Sequence, residues 1–124
     1  ASSDKKPIVL FFTLPNCSYC RIVRYDYFLP LLKQRAGNEQ PIIREISVTG
    51  QNRVTLFDGQ RMTESELADR YKVHMTPTVL FVNHEGEVVG NSILGGDHTN
   101  YIGLFDKSLA EASTKMSGKR VRVR

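Results

Sequence analysis

The strongest constraint on the fold of this chain is its cysteine content, which is two residues, Cys17 and Cys20, only three positions apart. Small domains that depend on disulfides for stability need bridges between distant segments, and a single local pair cannot provide them. The 124 residues must therefore fold around a hydrophobic core, and their number suits one domain. The cysteine pair is then a candidate for chemistry.

The net charge of +4 is concentrated at the C-terminal end of the chain. The last ten residues contain no acidic residue. They contain five basic residues, which are Lys115, Lys119, Arg120, Arg122 and Arg124. The remaining 12 basic residues are balanced by 13 acidic residues in positions 1–114. Because nucleic-acid binding needs a basic face on the folded domain, we expect no nucleic-acid partner.

The sequence predicts one globular domain at residues 7–114, between a flexible N-terminus at 1–6 and a basic tail at 115–124. The tail is expected to be a frayed, solvated end. The longest uncharged apolar stretch is too short and too polar to span a bilayer. The first four residues, Ala1–Asp4, suit either a mature chain after signal-peptide removal or a fragment cut at a convenient point.

The first element is predicted at Ile8–Thr13, an apolar run without alternation that is typical of a strand buried on both faces. A helix is predicted from Cys17 to Leu29, with Asn16 as its N-cap. Pro30 is expected to kink or end that helix, because proline has no N–H to donate.

The rest of the pattern gives the element order β-α-β-α-β-β-α, which indicates an α/β fold. Thr63 and Glu66 have the spacing of a capping box. Further strands are predicted at 41–48, 78–82 and 87–90, and further helices at 63–71 and 100–116. Residues 49–59 are predicted to form a turn-rich segment. The last helix is expected to turn inward Ile102, Leu104, Phe105, Leu109 and Ala112.

The position of the cysteine pair, where the first strand gives way to a helix, favours redox chemistry. A cysteine at a helix N-terminus meets free backbone N–H groups and the positive end of the helix dipole, which stabilise a thiolate. Cys17 is therefore predicted to be the exposed nucleophile. Cys20, one helical turn later, is predicted to be the partly buried thiol that resolves a mixed disulfide.

Three other roles for a cysteine pair have requirements that this sequence does not meet or meets poorly. Structural zinc needs four ligands, and His74, His84 and His98 lack the spacing that would complete the set. Haem attachment requires a histidine directly after the second cysteine, where this chain has Arg21. A purely structural disulfide would close so short a loop that it offers little entropic stabilisation.

The dipeptide Thr76-Pro77 stands just before the predicted strand at 78–82. A cis peptide bond is a natural solution for a proline at this place, although a trans turn proline is the commoner arrangement. The cis arrangement would also leave the backbone of Thr76 free to pair with an extended peptide, as in strand addition.

Together these patterns resemble the thioredoxin superfamily over Pro7 to Ala112. The resemblance is carried by Phe11–Cys20, Tyr71–Phe81, Gly86–Val89 and the Gly95-Gly96 pair. It implies a thioredoxin-like fold with a central mixed four-stranded sheet flanked by helices. Within the superfamily the chain is most similar to secreted bacterial proteins of the SoxW type, which share a tyrosine before the second cysteine and a stretch like Met62–Ala68.

The resemblance also assigns roles to site residues. Cys17 matches the nucleophile, Cys20 the resolving thiol, Pro77 the cis-proline that faces them, and Thr76 the contact to substrate backbone. Ser18-Tyr19 matches the dipeptide between the cysteines.

The chain departs from thioredoxin in several residues of the site. Ser18-Tyr19 replaces Gly-Pro, Asn16 replaces the tryptophan before the first cysteine, and the first strand carries no buried acid. Glu45 is a candidate for proton transfer from Cys20, against the more ordinary role of a solvated carboxylate. His74 could tune the first cysteine, against the more ordinary role of a surface loop histidine.

These observations predict a periplasmic thiol–disulfide oxidoreductase that reduces disulfide-containing protein substrates. A membrane thiol electron donor would regenerate its dithiol, and neither a cofactor nor a metal is expected. The chain is expected to be a monomer. Two alternatives stay open, which are a disulfide oxidase or isomerase, and a non-catalytic module that binds peptides around Pro77.

Overall fold

The structure is a computed structural model that describes residues 6–56 and 59–121 of the 124-residue chain. Residues 1–5 of the predicted flexible N-terminus and residues 122–124 of the predicted basic tail lie outside the described residues. Within the described part, no helix is long and apolar enough to cross a membrane.

The centre of the fold is a mixed four-stranded sheet, as the sequence predicts. Its strands are β1 (Ile8–Thr13), β2 (Ile42–Ser47), β5 (Thr78–Val82) and β6 (Ile93–Leu94). They lie in the order β2-β1-β5-β6, with β1 parallel to β2 and antiparallel to β5. Two short strands, β3 (Arg53–Thr55) and β4 (Arg61–Thr63), form a separate hairpin.

Strand β1 is buried along its whole length, which confirms the interpretation of its unbroken apolar run. Val9 and Phe11 point into one core with residues of the helices that follow β1 and end the chain. Leu10 and Phe12 point into a second core on the opposite face of the sheet. The fold is therefore a sheet between two apolar layers.

The helix after the cysteine pair is continuous from Ser18 to Gln34, in three sections. These are α1 (Ser18–Ile22), a π-helical section (Val23–Phe28) and α2 (Leu29–Gln34). Pro30 does not end the helix, because the preceding turn widens instead. The N–H of Leu29 donates to the carbonyl of Arg24, five residues back, so the turn that leads into Pro30 is π-helical.

The prediction of Asn16 as the N-cap of this helix is wrong. Asn16 has a φ of 62°, in the left-handed region, whereas an N-cap needs extended backbone. Cys17 has that extended backbone, with φ −95° and ψ 111°, and is itself the N-cap.

The prediction of a fourth sheet strand at 87–90 is also wrong. That segment contributes only a single bridge, between Val88 and Val82, and the edge strand of the sheet is β6. The reason lies at Gly90, where a β-carbon would come 2.8 Å from the carbonyl oxygen of Ser108. The backbone there leaves the sheet to pack against the last helix.

The segment between β2 and α3 contains the small hairpin. The predicted turn-rich segment at 49–59 includes β3, which pairs Val54 with Met62 of β4. The helix α3 (Glu64–Arg70) begins with the predicted capping box between Thr63 and Glu66. The Thr63 backbone N–H donates to the Glu66 carboxylate, and this bond lowers the pKa of Glu66.

The last helix, α4 (Tyr101–Val121), extends past the predicted end at residue 116. Phe105 and Ala112 are buried as predicted, and Ile102 and Leu109 pack partly against the core. The sequence predicts that Leu104 also points inward, and this is wrong, since Leu104 is 39% exposed. The buried face of α4 instead contains Tyr101 and Phe105, which are four residues apart and so lie on the same side of the helix. Residue 104 is rotated by about 100° from Phe105 around the helix axis, towards solvent.

Neighbouring residues of α4 provide a test of this register. Phe105→Ala should lower the free energy of unfolding by about 3–5 kcal/mol, because it removes a fully buried ring and leaves a cavity. Leu104→Ala, one residue away, should cost less than about 1 kcal/mol at its exposed position. Urea denaturation of both variants measures the difference, and similar losses for the two would contradict this register.

Candidate active site

The two cysteines lie beyond the C-terminal end of β1, at the start of α1. They are joined as a disulfide, with their Cα atoms 5.2 Å apart. The two sulphur positions differ in accessibility, since Cys20 is 1% exposed and Cys17 is only half-buried. The structure therefore brings the pair together, with Cys17 the more accessible of the two. The sequence predicts an exposed Cys17 and a partly buried Cys20, and the structure buries each of them further than that.

Two donors point at the sulphur of Cys17. The backbone N–H of Cys20 donates to Cys17 Sγ over 3.2 Å, as an N-cap arrangement requires. The hydroxyl of Thr76 donates to the same sulphur over 3.6 Å. When the disulfide is reduced, hydrogen bonds of this kind favour the thiolate form of Cys17, because bonds to an ionised acceptor are the stronger ones.

Thr76 and Pro77 reach the disulfide from a loop 59 residues further along the chain. The peptide bond between them is cis. Pro77 is buried, and its carbonyl accepts a 2.7 Å hydrogen bond from the backbone N–H of Gly95. The hydroxyl of Thr78 donates to the carbonyl of Met75 over 2.7 Å, which fixes the other end of the loop. The dipeptide is thus held on both sides against Cys17.

The residues between the cysteines, Ser18 and Tyr19, are both exposed, and the Tyr19 side chain is 46% accessible. Gly96 packs directly under this turn, since a β-carbon there would lie 3.0 Å from Tyr19 Cβ and 3.2 Å from Val23 Cγ2. The Gly95-Gly96 pair, where the sequence predicts an interruption of secondary structure, therefore forms the third segment of the site, after the Cys17–Cys20 turn and the Thr76-Pro77 loop.

Glu45 lies on β2, in register with Phe11 of β1. Its carboxylate forms an ion pair with Arg24 and accepts a 3.0 Å hydrogen bond from the buried hydroxyl of Thr13. The Glu45 side chain is 39% exposed. These contacts fit the alternative of a solvated carboxylate, and they also tie β2 to the helix that carries Cys20.

His74 is exposed on the loop before Met75, as expected of a surface histidine. Sequence reasoning missed Met75 and Leu94, whose side chains are 46% and 55% exposed beside the site. Their positions in the sequence could have indicated them, since Met75 directly precedes Thr76 and Leu94 directly precedes the Gly95-Gly96 pair. Large apolar side chains left open next to a reactive group are typical of a surface that binds another molecule.

The described residues contain no group of three or more His, Cys, Asp or Glu side chains that could hold a metal ion.

A comparison with protein families matches residues 1–98 to the family described as Thioredoxin-like domain. Among curated proteins, no sequence matches the chain.

Solved structures with the same fold include several thioredoxins. One is the thioredoxin of Fasciola hepatica, with 20% identity and a TM-score of 0.58 over 86% of this chain and 85% of that one. Another is a poplar thioredoxin h, with 19% identity and a TM-score of 0.59 over 86% of this chain and 79% of that one. A third is the complex of ferredoxin:thioredoxin reductase and thioredoxin f2, with 11% identity and a TM-score of 0.59 over 86% and 80%.

The unequal exposure of the two cysteines predicts unequal reactivity in the reduced protein. One equivalent of iodoacetamide should modify Cys17 and leave Cys20 largely free, because Cys20 is buried and Cys17 is not. Peptide mass spectrometry of the alkylated protein measures the distribution. The Cys17→Ser variant serves as control and should react slowly. Preferential modification of Cys20 in the unmodified protein would contradict this assignment.

Proposed function

The chain belongs to the thioredoxin-like domain family, and from this premise we propose that it is a periplasmic reductase of protein disulfides. A thioredoxin-like fold with a C-x-x-C pair at disulfide distance supports thiol–disulfide oxidoreductase chemistry. The observation that carries the proposal is the position of Cys17, which is half-buried, caps a helix and accepts hydrogen bonds from Cys20 and Thr76.

The reaction consists of two exchanges. The Cys17 thiolate attacks one sulphur of a substrate disulfide, forms a mixed disulfide and releases the other substrate sulphur as a thiolate, which takes up a proton. Cys20 then loses its proton and attacks Cys17 Sγ, which releases the second substrate thiol. The substrate gains two electrons and two protons, and the chain is left with the Cys17–Cys20 disulfide seen in the structure.

The geometry separates the roles of the two thiols. Cys17 is open to a protein substrate, whereas Cys20 is reached only from within the chain. Once the mixed disulfide forms, Cys20 is the nearest nucleophile, because its Cα lies 5.2 Å from that of Cys17. Such proximity makes the second step effectively unimolecular.

The substrate segment is expected to lie along the loop that carries Thr76 and Pro77. An extended peptide can pair its backbone with that of Thr76, as in strand addition, while its cysteine faces Cys17. Ser18 and Tyr19 border the same surface on the side of the helix. The hydroxyl of Thr76 meanwhile keeps its place beside the reacting sulphur.

Two sequence features of the chain support the proposed subfamily and location. Tyr19 before the second cysteine and the Met62–Ala68 stretch support a relation to secreted bacterial proteins of the SoxW type, and hence a periplasmic location. The dithiol would be regenerated by a membrane thiol electron donor, with the chain acting as a monomer. The complex of thioredoxin f2 with its reductase supports protein redox partners in general for this fold.

Two substitutions test the proposed reaction on an insulin substrate with a chemical dithiol as electron source. Cys17→Ser should abolish reduction of the insulin disulfides, because no thiolate remains to attack them. Cys20→Ser makes the same chemical change three residues away, and should instead accumulate a mixed disulfide between Cys17 and insulin.

The measurements are insulin precipitation for turnover and non-reducing gel electrophoresis for the trapped adduct. Circular dichroism of both variants confirms that they remain folded. Full retention of turnover in a folded Cys17→Ser protein would contradict the proposal. Absence of turnover in the unmodified protein would favour the non-catalytic peptide-binding alternative.

A further inference from the structure

A cavity of about 380 Å³ opens beside the active-site loop, and its described lining includes neither Cys17 nor Tyr19. It lies between the segment that follows α3 and the strands β5 and β6. The lining residues that matter here are Lys72, Val73, His74, Met75, Leu80 and Leu94. The two exchange steps proposed for the cysteine pair do not themselves require this cavity.

The mouth of the cavity is apolar and lies close to the redox site. Met75 and Leu94 are 46% and 55% exposed, and both line the cavity. Met75 directly precedes Thr76, whose hydroxyl reaches Cys17 Sγ. Its terminal methyl lies 3.6 Å from the position of a β-carbon at Gly95, so the side chain spans the gap between the two loops. A substrate chain paired with Thr76 would therefore extend over this mouth.

The rim of the cavity is basic. Lys72 and His74 are both exposed, and no acidic residue is among the described residues that line the cavity. An apolar mouth with a basic rim is complementary to an apolar side chain that is followed by carboxylates.

The backbone of Lys72 supplies an independent observation. Its φ is 58°, in the left-handed region, at the position that follows the C-cap of α3. The hydrogen bonds from Lys72 N to Asp69 O and from Val73 N to Ala68 O, both 3.0 Å, form the C-terminal motif in which this position is usually glycine. A lysine there carries a conformational cost that glycine would avoid. Residues kept in costly conformations cluster at functional sites.

We propose that this cavity is a specificity subsite, which binds the part of a substrate polypeptide that carries an apolar side chain and adjacent carboxylates beside its disulfide cysteine. The apolar side chain enters between Met75 and Leu94, and the carboxylates face Lys72 and His74. The inference rests on the proposed reductase function and adds the class of substrate that it selects.

The test uses three disulfide-bonded peptides that are identical except for the two residues after a leucine next to the cysteine. These residues are both aspartate, both asparagine or both lysine. At low ionic strength the kcat/KM for reduction should fall in that order. The acidic peptide should be preferred to the neutral one by about fivefold, the upper range for an exposed charge pair, and added salt should reduce the preference. A fourth peptide, with serine in place of the leucine, should react more slowly than its acidic parent.

Three variants assign the preference to the subsite. Lys72→Glu should reverse the order of the charged peptides. Lys72→Gly should remove most of the preference and yet give an equal or higher urea midpoint, because glycine fits the left-handed backbone. Lys107→Glu makes the same charge change at an exposed position on α4 outside the cavity, and should keep the original order.

The outcomes separate this inference from the proposed function. Equal rates for the acidic and lysine peptides, or an unchanged order in Lys72→Glu, would overturn the subsite while leaving the reductase function intact. Failure to reduce any peptide would overturn both.

Discussion

The burial of β1 is the constraint on which the rest of the structure depends. Its six residues lie between β2 and β5 and fill apolar layers on both faces of the sheet, so the strand cannot shift without exposing Phe11 or Phe12. The chain emerges from this fixed strand only four residues before Cys17. The position of the Cys17 sulphur is therefore set by a strand that is buried along its whole length, while Cys17 itself stays half-buried.

The environment of the sulphur comes from three segments that meet at the end of this strand. The start of α1 provides the backbone N–H of Cys20, the Thr76-Pro77 loop provides a hydroxyl, and the glycine pair closes beneath Tyr19. Each segment is held by bonds of its own, such as the one from Gly95 N to Pro77 O. Donors fixed in this way need little rearrangement when charge develops on Cys17, which is the condition under which hydrogen bonds contribute most to a reaction.

Features encoded by local residues could be predicted from the sequence, and features decided by distant packing could not. The buried strand Ile8–Thr13 and the capping box of Thr63 and Glu66 each need only a short stretch of chain to be recognised. By contrast, the departure of the chain from the sheet at Gly90 depends on the approach of Ser108, and the exposure of Leu104 depends on which face of α4 meets the core. The same holds for the site. The cysteine pair can be recognised from four consecutive residues. The exposed side chains of Met75 and Leu94 are far apart in the sequence, and only the folded chain shows that they line the same cavity.

In the proposed function, Cys17 and Cys20 form a redox couple that donates electrons to substrate disulfides. The reduction potential of this pair, measured by equilibration with glutathione or a reference dithiol, tests the claim most directly. A reductase should have a potential near that of thioredoxin, about −270 mV, because its dithiol must give up electrons readily. A potential near about −120 mV, typical of a strong dithiol oxidant, would contradict the claim and favour a disulfide oxidase.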